Sequence, residues 1–479
     1  MKITVLNGSP KGELSGTLKY IECLKIMHPE HDYEIFHVAQ KIKSIVSQEG
    51  KYREILAAVK ESEAVIISFP LYYLLVHSGL KQFFEFVFEC NDEHVFAGKY
   101  AAAISTSIHF YDNTAHTYVE GVCEDMGMQF VEGFSPGMQD FIKPEGRKQF
   151  VFFAEKFLTV VSQKRRISRK TNPVQYKQTV YTPKTIKSKE NQSGRKVLVV
   201  ADRLDENSNL LKMVQQFQSC FREEIEIAEL SKMKINGSCL GCLKCGWDNT
   251  CAYAGKDDYI DFFRNKWMAA DIIVVAGTVK DRFLSWEWKR FMDRNFWRTH
   301  SPAFRGQQIG MIISGPLSQL ENIKTVFQGY FEVGLANMTG CVTDESGDSI
   351  TIDQELSNLA GDLIHAAVAG YKKARTFLGV AGLKIFRDDI YSDLKAVFRA
   401  DYKYYKKNRL FDFPQRKWSA RILGSVFYTV MKISPLRKKL FGMIPKGMVM
   451  QHDVILKKLR EKKEKQRVTQ PLALQDAKV

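Results

Sequence analysis

The chain begins with MKITVLNGSPKGELSGT (residues 1–17), in which an apolar strand runs into a Gly-Ser-Pro turn. A helical pattern, SGTLKYIECLKIM (15–27), overlaps the end of that turn. The next apolar runs, EAVIISFP (63–70) and KYAAAISTS (99–107), are continuous rather than alternating, which is typical of strands buried on both faces. Strands that alternate with helices in this way predict a parallel, doubly wound α/β sheet.

The same pattern restarts in the second half of the chain. RKVLVVA (195–201) corresponds to MKITVLN, ADIIVVAG (270–277) to EAVIISFP, and GQQIGMIISGP (306–316) to GKYAAAISTS. This internal repeat predicts two five-stranded parallel sheets in tandem. We call the two predicted domains copy one (1–163) and copy two (195–370).

Charge divides the chain in the same way. Residues 1–163 and 197–370 are mildly acidic, each with a net charge of −6, whereas residues 164–196 carry +10 and residues 371–479 carry +18. Residues 164–194 lack apolar periodicity and predict a basic linker, and residues 371–479 predict a basic helical C-terminal extension. The net charge of +16 is therefore not spread over the chain, and by itself it does not indicate a nucleic-acid-binding protein.

Three loops of copy one follow the carboxyl ends of predicted strands, which is where open α/β sheets bind ligands. The first loop (7–17) places hydroxyls, a lysine and free helix N–H groups together, a combination suited to a phosphate. The second loop, FPLYYLLVHSG (69–79), offers aromatic rings that can flank a flat ring system. The third loop, STSIHFYDN (105–113), offers hydroxyls for polar contacts.

These loops carry a resemblance to a known family. NGSPKGELSGT resembles the phosphate loop of flavodoxin-like NAD(P)H-dependent FMN reductases, and FPLYYLLVHSGLKQFFEF resembles their second flavin loop and its helix. The resemblance covers roughly residues 1–160 and 195–370, and it implies a flavodoxin-like fold for both copies, FMN as cofactor and NAD(P)H as co-substrate. The implied cofactor-binding residues are Ser9, Lys11, Ser15, Gly16, Thr17, Leu18, Pro70, Leu71, Tyr72, Tyr73, Thr106, Ser107 and Tyr111. The catalytic residues are unknown at this stage.

Four of the nine cysteines lie in one short stretch of copy two with the pattern C-x2-C-x2-C-x5-C, namely Cys239, Cys242, Cys245 and Cys251. Their spacing, followed by KDDY, is similar to that of iron–sulfur flavoproteins of the same superfamily, which implies a 4Fe–4S cluster. Zinc more often uses two C-x2-C pairs separated by a longer arm. A set of unmetallated thiols is the third alternative, and the sequence leaves the choice open.

The first loop of copy two departs from the family pattern. ADRLDENSNL (201–210) places Asp202, Asp205 and Glu206 where a phosphate would sit, and carboxylates repel a phosphate. Nearby Asn and Ser side chains could still serve, so a second FMN stays open.

The expected function is an FMN-dependent NAD(P)H oxidoreductase that relays electrons through the cluster to a small-molecule or protein acceptor. The alternative is a non-enzymatic, flavodoxin-like electron carrier or membrane-associated redox partner. For residues 371–479 we favour docking on the acidic domains, with an anionic membrane surface as the second alternative and nucleic acid as the third. The absence of a secretory signal and of any apolar run of eighteen residues predicts a cytoplasmic protein, with peripheral membrane contact and a homo-oligomer as further expectations.

Overall fold

The structure is a computed structural model that describes residues 1–184 and 189–469. Residues 185–188 of the predicted linker and residues 470–479 of the predicted extension lie outside the described residues. The chain forms two compact units, Met1–Asn408 and Arg409–Val479. The predicted extension is therefore shared between the two units.

Copy one forms a five-stranded parallel sheet in the order β2-β1-β3-β4-β5, as predicted. Its strands are β1 Lys2–Asn7, β2 Asp32–Phe36, β3 Ala64–Pro70, β4 Tyr100–Thr106 and β5 Gln129–Phe134. Its helices are α1 Leu18–Met27, α2 Val38–Ser47, α3 Glu49–Glu61, α4 Ser78–Glu89, α5 Asp112–Asp125 and α6 Pro144–Ser162.

Copy two repeats this topology in the order β10-β9-β8-β6-β7, again fully parallel, which confirms the flavodoxin-like tandem fold. Its strands are β6 Val197–Ala201, β7 Glu226–Glu229, β8 Ile272–Thr278, β9 Gln308–Ser314 and β10 Asn337–Thr343. Its helices are α7 Asn209–Ser219, α8 Cys245–Asp248, α9 Tyr259–Phe262, α10 Trp286–Arg294, α11 Glu321–Val333 and α12 Ser349–Val368.

In the part of the chain that the structure describes, four α-helices follow copy two. Helices α13 (Phe377–Tyr391) and α14 (Arg399–Lys407) belong to the first unit, and α15 (Trp418–Met431) and α16 (Ser434–Thr469) belong to the second. None of the helices in the described part of the chain combines the length and the apolar character needed to cross a membrane.

Each sheet is covered on both faces, because alternate side chains of a strand point to opposite sides. In β1, Ile3 and Val5 enter one core cluster and Leu6 enters another. The cluster that holds Leu6 also contains Phe83 of copy one and Trp288 of copy two, so the copies share a continuous hydrophobic core. The two sheets are thereby packed into one body rather than joined only by the linker.

The two copies meet through an approximately two-fold arrangement of α4 and α10. Equivalent positions are 208 residues apart, as for Lys81 and Lys289, and each lysine pairs with a carboxylate one turn later. Across the interface, the backbone N–H of Ser78 donates to Asp293 (2.7 Å). The symmetry-equivalent bond runs from the N–H of Trp286 to Glu85 (2.8 Å). The copies therefore pair like the two halves of a symmetric dimer.

Copy two is longer between its second and third strands. Thirty residues separate Glu34 from Ala64, whereas 46 separate the equivalent Glu226 from Ile272. Copy one uses this region for α2, whose buried residues recur at helical spacing. Copy two uses it for the cysteine loop, which we define as residues 236–258.

Candidate functional site

The side chain of Asn7 shapes the loop after β1. Its Oδ1 accepts a hydrogen bond from the Ser9 backbone N–H (3.0 Å), and its Nδ2 donates to the Gly12 carbonyl (3.2 Å). Gly12 has φ +56°, a conformation that disfavours a side chain. The Ser9 hydroxyl accepts from the Lys11 N–H (3.2 Å), so the loop is folded by its own polar groups.

The end of this loop presents polar groups without partners. The Ser15 hydroxyl is buried and has no hydrogen bond in the structure. Among the described residues, the backbone N–H groups of Gly16 and Thr17 also form none, and the Thr17 side chain does not cap α1. Buried polar groups are normally paired, and free N–H groups at the start of a helix attract anions. The loop therefore fits a phosphate group.

The first and third loops meet directly. The hydroxyl oxygens of Thr17 and Thr106 lie 2.9 Å apart. Thr106 ends β4 opposite Pro70 of β3, and its carbonyl accepts from the Leu71 N–H (3.4 Å). Ser107 is buried next to it. The structure thus brings together, at one sheet edge, the predicted residues Ser9, Lys11, Ser15, Gly16, Thr17, Leu18, Pro70, Leu71, Thr106 and Ser107.

The two tyrosines of the second loop face copy two. The Tyr72 ring packs edge-on against Phe296 (5.4 Å between ring centroids), and the Tyr73 ring packs against Phe296 (4.9 Å) and Tyr330 (5.9 Å). The Tyr73 hydroxyl donates to the Thr299 carbonyl (3.3 Å). Burial raises the pKa of both tyrosines well above the usual value, so both hydroxyls stay protonated.

Tyr111, the last predicted cofactor residue, is also directed at copy two. A Cβ added to Gly329 of α11 would lie 2.7 Å from its ring, and Gly382 of α13 is also close. Tyr73 (φ 36°) and Tyr111 (φ 61°) both have left-handed backbone conformations. Such strain in non-glycine residues collects at functional loops, because the surrounding fold must hold it in place.

The cysteine loop of copy two lies on the first two loops of copy one. A Cβ added to Gly241 would lie 2.4 Å from the Tyr72 hydroxyl oxygen and 2.9 Å from Cε of Lys11. The Nε2 atom of His77 lies 3.0 Å from the Cys239 carbonyl oxygen, and its Nδ1 accepts from the Gly79 N–H (3.0 Å). His77 therefore carries its proton on Nε2, which donates a hydrogen bond to the Cys239 carbonyl oxygen of the cysteine loop.

The cysteines themselves are close but do not form a closed ligand set. Burial raises the pKa of the Cys245 thiol to about 12, and the nearby Cys251 and Cys242 thiols add to the rise. Cys239 accepts the Gly241 N–H (3.5 Å), whereas Cys245 donates to the Phe296 carbonyl (3.2 Å). In the described part of the chain, no three His, Cys, Asp or Glu side chains are placed to hold a metal ion. The described residues do not show the expected four-thiolate 4Fe–4S shell, and two of the sulfurs, those of Cys239 and Cys245, take separate protein partners.

The first part of the predicted extension covers the cysteine loop. A Cβ added to Gly246 would lie 2.2 Å from the Val397 carbonyl oxygen, and the Arg399 guanidinium lies over the Trp247 ring (4.3 Å). Asp401 of α14 is fully buried and accepts a hydrogen bond from the His300 backbone N–H (3.1 Å). These contacts hold α14 against the face of copy two that meets the first two loops of copy one.

Copy two has a carboxylate where copy one has a glycine. The Asp202 N–H donates to the Ala276 carbonyl (3.2 Å), and the Gly8 N–H makes the equivalent bond to Ser68 (2.7 Å). The Asp202 carboxylate is buried and accepts from the Thr278 N–H (3.1 Å). Burial raises its pKa to about 6. The Asp202 carboxylate already accepts a backbone hydrogen bond here, and its negative charge disfavours the binding of a phosphate at the same position.

The linker occupies the rest of this edge of copy two. Asn209, at the start of α7, donates to the Thr179 carbonyl (2.7 Å) and to Asp344 (2.8 Å), and its oxygen accepts the Tyr181 N–H (3.0 Å). The Tyr176 hydroxyl donates to Asp344 (2.9 Å). Linker residues 176–181 thus form an ordered strap, and the anion position of copy two is filled by groups of this chain.

Sequence reasoning missed the residues that hold the site in shape. Asn7 ends the first strand, where a short amide often closes a turn, and this position alone could have indicated its role. His77 directly precedes α4, a capping position, but its contact with Cys239 lies 162 residues away in sequence. No local signal predicts a contact of that kind.

Comparisons with known proteins agree with this geometry. Residues 1–136 match the family model described as NADPH-dependent FMN reductase. These residues belong to that family. They form the domain of a flavin-dependent oxidoreductase, as the sequence predicted, and we call copy one the FMN reductase domain from here on. Copy two lies outside the matched residues, and no curated protein matches the chain.

Several solved structures are similar to about a third of the chain. FerB, an NAD(P)H:(acceptor) oxidoreductase from Paracoccus denitrificans, is 15% identical over 34% of this chain and 97% of its own, with a TM-score of 0.29. An FMN-dependent NADH-azoreductase from Bacillus anthracis is 13% identical over 35% of this chain and 100% of its own, with a TM-score of 0.26. An NADPH-quinone reductase from P. pentosaceus is 11% identical over 33% and 97%, with a TM-score of 0.27.

Proposed function

We propose that the protein is an FMN-dependent NAD(P)H oxidoreductase whose flavin site is formed by the FMN reductase domain and closed by copy two. The observation that carries the proposal is the set of unpartnered polar groups at Ser15, Gly16 and Thr17, at the start of α1. A phosphate placed there would accept from all three, and the charged Lys11 lies in the same loop.

The residues of the site would have different roles in binding FMN. Ser9, Ser15 and Thr17 would hold the phosphate, while Asn7 keeps the loop in shape. Thr106 is fixed against Thr17 and would position the ring system relative to the phosphate. Bound FMN would supply the ability to accept a hydride and to pass electrons on, and the protein would supply position and electrostatics.

Copy two would act as the wall of the site. Tyr72 is 7% exposed, because the cysteine loop and Phe296 pack against it. A wall of this kind excludes water, which strengthens the electrostatic interactions within the site. We propose a small-molecule or protein electron acceptor that enters from the side that copy two leaves open.

Spectroscopy of the purified protein tests the cofactor directly. We expect a flavin absorbance that dithionite bleaches, one FMN per chain, and NAD(P)H-dependent reduction of a quinone. The non-enzymatic carrier alternative predicts bound flavin with little steady-state turnover. A protein that binds no flavin after incubation with FMN would contradict both.

An iron–sulfur relay is the second candidate. It is favoured by one observation, the contact of the cysteine loop with Tyr72 and Lys11, although the thiols do not form a closed shell. Iron and acid-labile sulfide should be measured after anaerobic purification, with Cys242→Ser as a comparison. If the wild-type protein contains free cysteine thiols but neither iron nor acid-labile sulfide, the relay is excluded. The proposed flavin function would not be affected by that result.

A further inference from the structure

The second compact unit contains a stretch in which all the Lys, Arg, Asp and Glu positions are occupied by Lys or Arg. From Phe413 to His452 the sequence has eight Lys or Arg residues and no Asp or Glu, and we call this stretch the acid-free segment. The part of α16 beyond it mixes both signs, as in LKKLREKKEK (456–465). A run of like charges attracts a negatively charged partner.

The same segment holds an exposed apolar helix. Helix α15 has fourteen residues and a single charged side chain, Arg421. Every residue from Trp418 to Thr429 is exposed, and no residue of α15 is buried. The most exposed large apolar side chains of the helix are Trp418 (66%), Ile422 (61%), Leu423 (71%), Val426 (57%) and Tyr428 (67%).

Exposure of this kind is costly in water. Large side chains side by side form a continuous apolar surface, and such surfaces in soluble proteins mark a contact with another molecule or a membrane. Removing a side chain such as Leu423 from water is energetically favourable, because its apolar surface no longer contacts the solvent. A surface with several such side chains is therefore expected to be covered.

The basic residues lie at the ends of this apolar surface. Arg416 and Lys417 precede α15, and Lys432 follows it. The Arg421 guanidinium lies over the Trp418 ring (4.8 Å), and the Lys432 ammonium lies over the Tyr428 ring (5.0 Å). Arg437, Lys438 and Lys439 then follow in the first turns of α16. Cationic and aromatic groups are thus paired beside an apolar surface.

We propose that the acid-free segment binds the surface of an anionic lipid membrane, with α15 lying in the interface. The apolar side chains would enter the boundary between head groups and acyl chains, and the basic residues would contact lipid phosphates. Trp and Tyr are the residues preferred at that depth. Fourteen helical residues extend about 21 Å, short of the roughly 30 Å hydrocarbon core, so α15 lies on the membrane.

Two other occupants fit less well. A second copy of this segment would bring eight positive charges against eight more, without a carboxylate to offset them. Nucleic acid would satisfy the charges, but it would leave the apolar side chains of α15 in water. An anionic lipid surface matches both properties.

Vesicle co-sedimentation with the full-length protein tests the proposal. We expect binding to vesicles of phosphatidylcholine with about one-third phosphatidylglycerol, and little binding to phosphatidylcholine alone. Replacing Arg437, Lys438 and Lys439 by Gln should weaken the partition coefficient about 100-fold, since each basic residue near the surface adds about a fivefold factor. Leu423→Glu with Phe427→Glu should abolish binding while leaving NAD(P)H oxidation in solution unchanged.

A matched control lies in the mixed-charge part of α16. Leu456→Glu with Leu459→Glu adds the same charges to side chains of similar exposure and should leave vesicle binding intact. Equal binding of the wild type and L423E/F427E, or equal binding to both vesicle types, would overturn the proposal. Salt-sensitive DNA binding without vesicle binding would identify nucleic acid instead. Concentration-dependent dimerisation that L423E/F427E abolishes, without vesicle binding, would identify a second copy.

Discussion

Gly241 of copy two approaches Tyr72 of the FMN reductase domain so closely that a Cβ on the glycine would lie 2.4 Å from the tyrosine hydroxyl oxygen. Real Cβ contacts are not that short, so any side chain at Gly241 must displace Tyr72 or the whole cysteine loop. The contact joins the loop with four cysteines to the loop expected to hold the flavin ring. It is one direct contact through which a change in copy two can reach the proposed flavin site.

Gly241→Ala should therefore disturb the flavin site. We expect FMN affinity or the NAD(P)H oxidation rate to fall at least about tenfold, because small displacements of positioning groups have effects of that size. Gly255→Ala is the matched control: its φ of +70° is similar to the +62° of Gly241, but no atom lies within 4 Å of its added Cβ. Equal losses in both variants would mean that backbone strain, and not the contact, is responsible.

Ser15→Ala separates cofactor binding from stability. The Ser15 hydroxyl is buried without a partner, so its removal should leave the apo protein as stable as the wild type or slightly more stable. If the hydroxyl binds the FMN phosphate, the Kd for FMN should rise about 10- to 100-fold, the value of a hydrogen bond to a charged group. Fluorescence titration with FMN and urea unfolding of the apo protein measure the two quantities.

Ser208 provides the comparison in copy two. Its hydroxyl accepts the Leu211 N–H (3.1 Å) and caps α7. Ser208→Ala should cost about 1 kcal/mol of stability and leave FMN affinity unchanged. A loss of FMN affinity in S208A, or none in S15A, would place the phosphate elsewhere.

The buried ion cluster at the interface of the copies should be sensitive to truncation. Lys81 is fully buried with Glu85 (2.8 Å) and Asp281 of copy two (3.1 Å). Burial alone would lower the pKa of Lys81, but the two carboxylates outweigh it and raise the pKa. Burial also raises the pKa of Glu85 to about 7. Lys81 therefore supplies the positive charge that stabilises both buried carboxylates.

Lys81→Ala leaves two buried carboxylates without their cation. We expect a loss of about 3–5 kcal/mol in the free energy of unfolding, measured by urea denaturation. Lys2→Ala is the control, because its pair with Glu61 is exposed on both sides and should contribute no measurable stability. A small loss for K81A would show that water reaches the cluster.

The sequence predicted local features well. Strands such as β3 and β8 were identified because a buried parallel strand is a continuous apolar run between loops. The candidate phosphate loop could be proposed from the sequence because its polar groups come from neighbouring residues, from Ser9 to Thr17, but its role in binding stays a prediction. The helix α2 was not identified, although its buried residues Val38, Ala39, Ile42 and Ile45 follow a helical spacing.

Contacts between the copies could not be predicted in this way. A lysine on a helix, such as Lys81, normally indicates a solvated face, and its partner Asp281 lies 200 residues away. Tyr73 and Tyr111 were expected to contact the flavin, but their positions depend on Phe296, Tyr330 and Gly329 of copy two. Which side chains of copy one remain available to a ligand therefore depends on how copy two packs against them.

The buried His116 should make stability depend on pH. Its Nε2 lies 2.8 Å from the Ser105 hydroxyl, and burial lowers its pKa to about 4, against 6.5 for an ordinary histidine. Between these values the unfolded chain binds a proton that the folded protein does not, so stability falls as the pH decreases from 6.5 towards 4. Lowering the pH from 7.5 to 5 should cost about 2 kcal/mol through this group. His116→Asn should lack that part of the loss, which urea unfolding of both proteins at the two pH values would measure. If the wild type and His116→Asn lose the same free energy of unfolding between pH 7.5 and 5, then His116 is protonated in the folded state or its surroundings admit water.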